Sequence, residues 1–143
     1  MATITDLAEA VKDALNGGVF SFDFVARRSY RPTLDLEELA DLQVTVVPAG
    51  LTPNPAEHTR GGTRHSYRVD IGIQRRYDDD SNAGLDPPVG LAEEVMDYLC
   101  SVDLGDVHGA RLATIENDPV YAPEHMESRV FTSVISATYA VWR

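Results

Sequence analysis

Two long segments in which apolar and polar residues alternate constrain the fold of this chain most strongly. In the first, from Thr63, one side carries the apolar residues Tyr67, Val69, Ile71 and Ile73. The second is FTSVISATYAVWR, residues 131–143. Its alternate residues form a second, at most half apolar face: Thr132, Val134, Ser136, Thr138, Ala140 and Trp142. A period of two is that of a β-strand, so both segments are predicted to be strands with one apolar face. The second faces are covered either by the domain's own helices or by another copy of the chain.

Two other segments have the spacing of an amphipathic helix. In the first helix the apolar face is formed by Ile4, Leu7, Ala8, Val11, Ala14 and Leu15, and the letters NGG at 16–18 provide the stop. A second helix is predicted from about Pro87 to Val102, because proline is favoured in the first turn. Its inward face consists of Leu91, Ala92, Val95, Met96 and Leu99.

Shorter patterns complete the predicted order of elements. VFSFDFVARRSY (19–30) and LQVTVVP (42–48) are predicted strands, the second stopped by Pro48, and TLDLEELADL from Thr33 is a predicted short helix. The stretch from Gly50 to Gly62 is predicted to be a long exposed loop or a hairpin tip. A further strand is predicted up to Glu116, and the last strand from roughly Ser128.

This order predicts one α+β domain over residues 1–143. We expect a mixed or mainly antiparallel sheet of four to five strands, packed with two main helices and one short helix. A chain of 143 residues is long enough to bury a stable core.

Charge and cysteine content limit the environment and the partners. The net charge is −11, with −1 in residues 1–76 and −10 in residues 77–143, which argues against tight nucleic-acid binding. The single cysteine, Cys100, is predicted to be a small buried thiol and suits a reducing compartment. No secretion signal or membrane-spanning run is evident, so we expect a soluble protein without membrane contact.

A search for catalytic or metal-binding patterns predicts none. The four histidines, His58, His65, His108 and His125, lack the spacing of a zinc site. The acidic loop with Asp78, Asp79 and Asp80 departs from the calcium-loop pattern, since its sixth position is Ala83 and its twelfth is Val89. We therefore expect no cofactor, no metal and no enzymatic activity.

The order of the predicted elements and the residue patterns from Thr5 to Trp142 resemble those of the tail terminator proteins of tailed bacteriophages. The resemblance is carried by LNGGVF, RRSYRPTLDLEELADLQVTVVP, RHSYRVDIGIQRR, GLAEEVMDYL and VYAPEHMESRVFTSVISATYAVW. The most characteristic stretch is YRPTLDLEELADLQVTVVP, followed by a long strand ending in arginine and a closing aromatic strand.

The resemblance implies a structural protein of the virion tail or neck, assembled in the host cytoplasm. Such a protein forms a ring, hexameric in this family, that caps the tail tube, stops its elongation and joins the tail to the head connector or stopper protein. The implied partners are copies of the chain, the tail tube protein and that connector, and DNA passes through the lumen without specific binding. Eight residues are hypothesised to lie in the interfaces: Pro53, His58, Arg60, Arg75, Arg76, Asp78, Asp79 and Asp80.

Two other interpretations stay open from the sequence. One is another neck or tail structural protein, such as a head-completion or tube protein. The other is a small host ligand-binding or enzymatic α+β domain, which a pocket lined by His65, Tyr67 and arginine-bearing strand residues would favour.

Overall fold

The computed structural model describes residues 4–30, 42–60, 62–77, 82–104, 109–117 and 130–142. The described residues form two helices and five strands: α1 (Ile4–Gly17), β1 (Ala26–Arg28), β2 (Gln43–Thr59), β3 (Gly62–Arg76), α2 (Asn82–Ser101), β4 (Arg111–Asn117) and β5 (Val130–Trp142). The strand order is β1-β2-β3-β5-β4, with β1 parallel to β2 and the other neighbours antiparallel. The predicted α+β domain with a mixed sheet and two main helices is confirmed, whereas the short helix from Thr33 lies outside the described residues.

Both helices pack on the same face of the sheet, and this face holds the core. Helix α1 lies over β1, β2 and β3, while α2 lies over β4 and β5. The predicted apolar sides are confirmed, since the four apolar residues of β3 are fully buried and meet the buried stripes of both helices. Each such side chain contributes about 1.5–3 kcal/mol on burial, so this layer accounts for most of the stabilisation.

The strand register lines up residues across the sheet. Leu51 of β2, Tyr67 of β3, Tyr139 of β5 and Leu112 of β4 form one such row on the helix-covered face. We call it the Tyr139 row. Because side chains alternate along each strand, most polar residues of β3 and β5 lie on the opposite, second face, although His65 and Ser133 lie on the helix-covered face.

The prediction of a strand over residues 19–30 is wrong except for its last part, because only Ala26–Arg28 pair as β1. Phe20, Phe22 and Phe24 are partly buried and pack against the core from an irregular segment. The ring of Phe20 contacts that of Tyr98 on α2, with centroids 5.2 Å apart. A Cβ at Gly18 would lie 2.7 Å from the Phe20 ring, so this close approach requires glycine.

The predicted stop of β2 at Pro48 is also wrong. The strand continues to Thr59 and pairs with β3 along this length, with register shifts between Pro48 and Gly50 and between Asn54 and His58. In the described part of the sheet β1 pairs with β2 only as far as Val46, so the later residues of β2 lie at an edge, where proline is tolerated. Residues 50–60 thus form a paired ribbon ending in a hairpin tip.

Helix α2 begins at Asn82, five residues before the predicted start at Pro87, and contains both Pro87 and Pro88. Its predicted inward face is confirmed, with Leu91, Ala92, Val95 and Leu99 buried. Cys100 is exposed, contrary to the prediction of a buried thiol, because it is one residue beyond the buried Leu99 and so points about 100° away around the helix. None of the described helices is long and apolar enough to span a membrane.

Candidate functional site

The paired ribbon formed by the end of β2 and the start of β3 contains the longest exposed stretch of the described structure. We call residues 50–60 and 62–68 the arm. Every described residue from Leu51 to Arg60 except Asn54 is exposed. Leu51 is 53% exposed, although its cross-strand neighbour Tyr67 is fully buried. The arm therefore projects from the core with both faces available for contact near its tip.

Polar contacts between the two strands hold the arm in shape. Asn54 Nδ2 donates to Ser66 Oγ at 3.2 Å, and Arg64 pairs with Glu57 at 3.0 Å. Such exposed pairs each contribute at most about 1 kcal/mol, and an isolated two-stranded hairpin is only marginally stable in water. From Arg64 to Arg68 the arm is anchored by pairing with β5, whereas the tip beyond Arg64 depends on contacts between its own two strands.

The hypothesised interface residues fall into two separate groups. Pro53, His58 and Arg60 are exposed on the arm, whereas Arg75 and Arg76 are exposed at the opposite end of β3. Pro53 pairs with His65 and His58 with Thr63, so at about 3.3 Å per residue they lie roughly 33 Å and roughly 40 Å from Arg75 along the strand. Asp78, Asp79 and Asp80 lie outside the described residues. The structure therefore does not bring the hypothesised residues into one site, and it leaves two exposed ends.

The second face of the sheet is mainly polar. At its centre Asp70 accepts a hydrogen bond from Ser136 Oγ at 2.9 Å and lies 3.4 Å from Arg68 Nε. Gln74 and Thr132, which lie closer to the Arg76 end of β3, are buried on this face. Gln74 Nε2 donates a hydrogen bond to Thr132 Oγ1 at 3.5 Å. Burial of these two polar residues means that only part of the second face is open to a partner.

A pocket of about 290 Å³ opens at the β4 side of the Tyr139 row. It lies between the end of α2 with the following residues (100–104), residues 110–112 and Tyr139. Leu104, Ala110 and Tyr139 are buried in its inner wall, while Cys100, Asp103 and Arg111 are exposed at its rim. Sequence reasoning missed this pocket because three distant segments form it.

The hydroxyl of Tyr139 is buried in this wall, and no described residue accepts or donates a hydrogen bond to it. Burial, with a smaller contribution from Cys100, raises the pKa of Tyr139 to about 12, so the group is a neutral hydroxyl at physiological pH. Leaving a buried hydroxyl without a partner costs about 1–3 kcal/mol.

The opposite lateral edge of the sheet, at β1, is closed by side chains from α1. Asn16 Oδ1 accepts from the backbone N of Ala26 at 2.7 Å, and its Nδ2 donates to the Ala26 carbonyl at 3.2 Å. Glu9 binds Lys12 and Arg28, and these hydrogen bonds lower the pKa of the Glu9 carboxyl. Pairing of another strand at Ala26 is therefore blocked, which is a common protection of edge strands.

The described residues do not assemble the pocket that would favour a ligand-binding or enzymatic domain. His65 and Tyr67 lie on the helix-covered face, with ring centroids 6.1 Å apart, whereas Arg64 and Arg68 lie on the second face. Among the described residues there is also no group of three or more His, Cys, Asp or Glu side chains that could hold a metal ion.

Comparisons with models of known protein families and with characterised proteins give no match.

Proposed function

We propose that this protein is a bacteriophage tail terminator, a ring-forming structural protein that caps the tail tube and joins it to the head. The proposal rests on the resemblance described above, and the structural observation that supports it best is the arm. An exposed ribbon on a small α+β domain is suited to contact between proteins, because its backbone and side chains are available on both sides.

The placement of exposed groups at two ends of β3 also supports this function. A terminator must bind the tube on one side and the connector on the other, which requires two contact regions on each copy. The arm with Arg60 provides one exposed region, and Arg75 with Arg76 provides another. Both regions carry arginine, which forms bidentate contacts with carboxylates across interfaces.

The net charge of −11 fits a protein through whose ring DNA must pass. A surface with excess carboxylates repels phosphate, so DNA would slide through without being retained. The two ends of β3 would then make the protein contacts, and the acidic surface would make none with DNA.

Tail assembly without this protein tests the proposal. Tails produced from a genome that lacks the chain should be of irregular length and should not attach to heads, and addition of the purified protein should cap tubes at one end. Electron microscopy measures both outcomes. Tubes of normal length and normal attachment would refute the proposal, and elongation of tubes by the purified protein would instead identify a tube protein.

Within the same assay, the arm can be tested by reversing a charge at its tip. Arg60→Glu should reduce capping at least tenfold, because Arg60 is exposed and distant from the core. Asp13→Arg provides a control, since Asp13 is an exposed residue of α1 away from the arm. Equal capping by both variants would exclude the arm tip from the tube contact.

A further inference from the structure

The two lateral edges of the sheet differ in how well they can accept another strand. On the β1 side, Asn16 occupies the backbone groups of Ala26. The rest of that side is the part of β2 beyond Val46, which contains three prolines, Pro48, Pro53 and Pro55. Proline has no backbone N–H, and its presence on an edge strand disfavours the addition of a further strand. This side of the sheet is therefore protected.

Strand β4 forms the opposite edge and contains no proline. Within the described part of the chain it pairs only with β5. Its exposed residues are Arg111, Ala113, Thr114 and Glu116. The unpaired N–H and C=O groups of an edge strand are a template for a strand from another chain. The sheet can therefore be extended at β4.

A register shift decides which residues of β4 share a face. It lies between Leu112 and Thr114 and leaves Ala113 as an extra, bulged residue. Arg111 and Glu116 therefore both pair with second-face residues of β5, although five positions separate them. Leu112 and Ile115 likewise both pair with residues of the helix-covered face. Along the β4 edge the residues thus run symmetrically from charged through apolar to small and back, with opposite charges at the two ends.

We propose that β4 of one copy pairs antiparallel with β4 of a second copy across a two-fold axis perpendicular to the sheet, so that the two sheets become one. In this register Arg111 is opposite Glu116 of the second copy, and Leu112 is opposite Ile115 of the second copy. The axis repeats each pair, which gives two ion pairs on the second face and two apolar pairs on the helix-covered face. The contact goes beyond the proposed function, because it uses neither the arm nor the arginines at the end of β3.

Charge complementarity favours this occupant and this register. Neither Arg111 nor Glu116 forms an ion pair with a described residue. Their partners on β5 are four residues apart, so they lie roughly 13 Å apart within one copy and do not reach each other. A shift by one residue would place opposite faces against each other, and a parallel, in-register arrangement would oppose like charges. Only the antiparallel register satisfies both charges.

The centre of the contact is small, which lets the bulged strands approach. Ala113 and Thr114 lie next to the axis, and both are exposed. The bulge interrupts the ladder there, so backbone hydrogen bonds form on either side of it. The net charge of −11 on each copy opposes association. The contact is therefore measured at an ionic strength of about 0.15 M, which screens repulsion beyond about 8 Å.

Reversal of the two charges tests the contact in purified protein. Sedimentation equilibrium at about 0.1 mM should show a dimer of the wild-type protein, which Arg111→Glu or Glu116→Arg alone should weaken at least tenfold. The double variant Arg111→Glu/Glu116→Arg should restore the dimer, and a mixture of the two single variants should form a heterodimer, because opposite charges then face each other again.

Arg27→Glu is the matched control, because Arg27 is an exposed arginine of β1 at the other edge of the sheet. It should leave the dimer unchanged. A monomeric wild-type protein, a double variant that stays monomeric, or equal weakening by Arg27→Glu would each overturn the proposal.

Cross-linking next to the axis tests the register. With Cys100→Ser as background, Thr114→Cys places the two thiols of a dimer on α-carbons roughly 6 Å apart, within the range of a disulfide. Oxidation by copper–phenanthroline should give a covalent dimer on a non-reducing gel, and adding Arg111→Glu should suppress it. Val19→Cys in the same background is the control, since Val19 is 97% exposed and distant from β4. Equal cross-linking by the two cysteines would contradict the proposed register.

Discussion

The hydroxyl of Tyr98 donates a hydrogen bond to the carbonyl of Ala14 at 2.8 Å and so joins α2 to α1. Ala14 is in the last turn of α1, where carbonyl groups lack a partner within the helix. The same aromatic ring contacts Phe20. One side chain thus satisfies a helix end and fixes the irregular segment that leads to β1.

The two tyrosines therefore predict different effects of the same substitution. Tyr98→Phe should lower the free energy of unfolding by about 1–2 kcal/mol, because it removes the bond to Ala14. Tyr139→Phe should instead raise it by about 1–3 kcal/mol, because it removes a buried hydroxyl that has no partner among the described residues. Urea unfolding measures both, and a cost above about 1 kcal/mol for Tyr139→Phe would reveal a hydrogen bond to that hydroxyl.

Burial of Tyr139 also predicts a dependence of stability on alkaline pH. The pKa of Tyr139 is raised from 10.0 to about 12, so the native state favours the neutral hydroxyl. Below pH 10 both states are neutral and stability is unaffected, whereas between pH 10 and 12 the unfolded chain ionises first and stability falls. The loss should approach about 2–3 kcal/mol. Comparison of wild-type protein with Tyr139→Phe at about pH 9 and about pH 11 isolates this effect, and equal losses in both proteins would assign it to other groups.

Asn16 is exposed, but its two hydrogen bonds to Ala26 close the edge of β1. Its substitution should therefore cost more stability than is usual for an exposed residue. Asn16→Ala removes two hydrogen bonds to Ala26 and should cost about 1–3 kcal/mol. Asn54→Ala removes a single, half-buried contact with Ser66 and should cost less than about 1 kcal/mol, which makes it the control. Equal unfolding midpoints for the two variants would contradict the stabilising role of Asn16.

The contrast between Leu15 and Val19 predicts where the core ends. Leu15 is 1% exposed and Val19 is 97% exposed, although only four positions separate them. Leu15→Ala should cost about 2–5 kcal/mol, whereas Val19→Ala should cost less than about 0.5 kcal/mol. Thermal or urea unfolding measures both, and a large cost for Val19→Ala would mean that this side chain is buried in solution.

The helices and long strands could be predicted from sequence because the spacing of apolar residues within each element indicates which side is buried. Along β3, every second residue from Tyr67 to Ile73 is apolar, which is the period of a strand with one buried face. The same argument failed for Phe20, Phe22 and Phe24, because an irregular segment that packs three rings into the core gives the same alternation.

The end of β2 and the pocket could not be predicted, for a different physical reason. Whether Pro48 stops a strand depends on which side of that strand has a neighbour, and this is set by β1 and β3. The pocket depends on Tyr139 meeting Cys100 and Leu104, which are far away in the chain. Neither feature leaves a local pattern.

The tip of the arm is separate from the folded core. This tip, from Pro53 to Arg60, contributes no side chain to the core, whereas the strands that carry it are anchored by fully buried residues such as Tyr67. Tip residues can therefore diverge, or be replaced in the laboratory, with little effect on the stability of the domain. In the proposed function, substitution in one short stretch would therefore change the contact with the tube, while the remainder of the sequence preserves the scaffold.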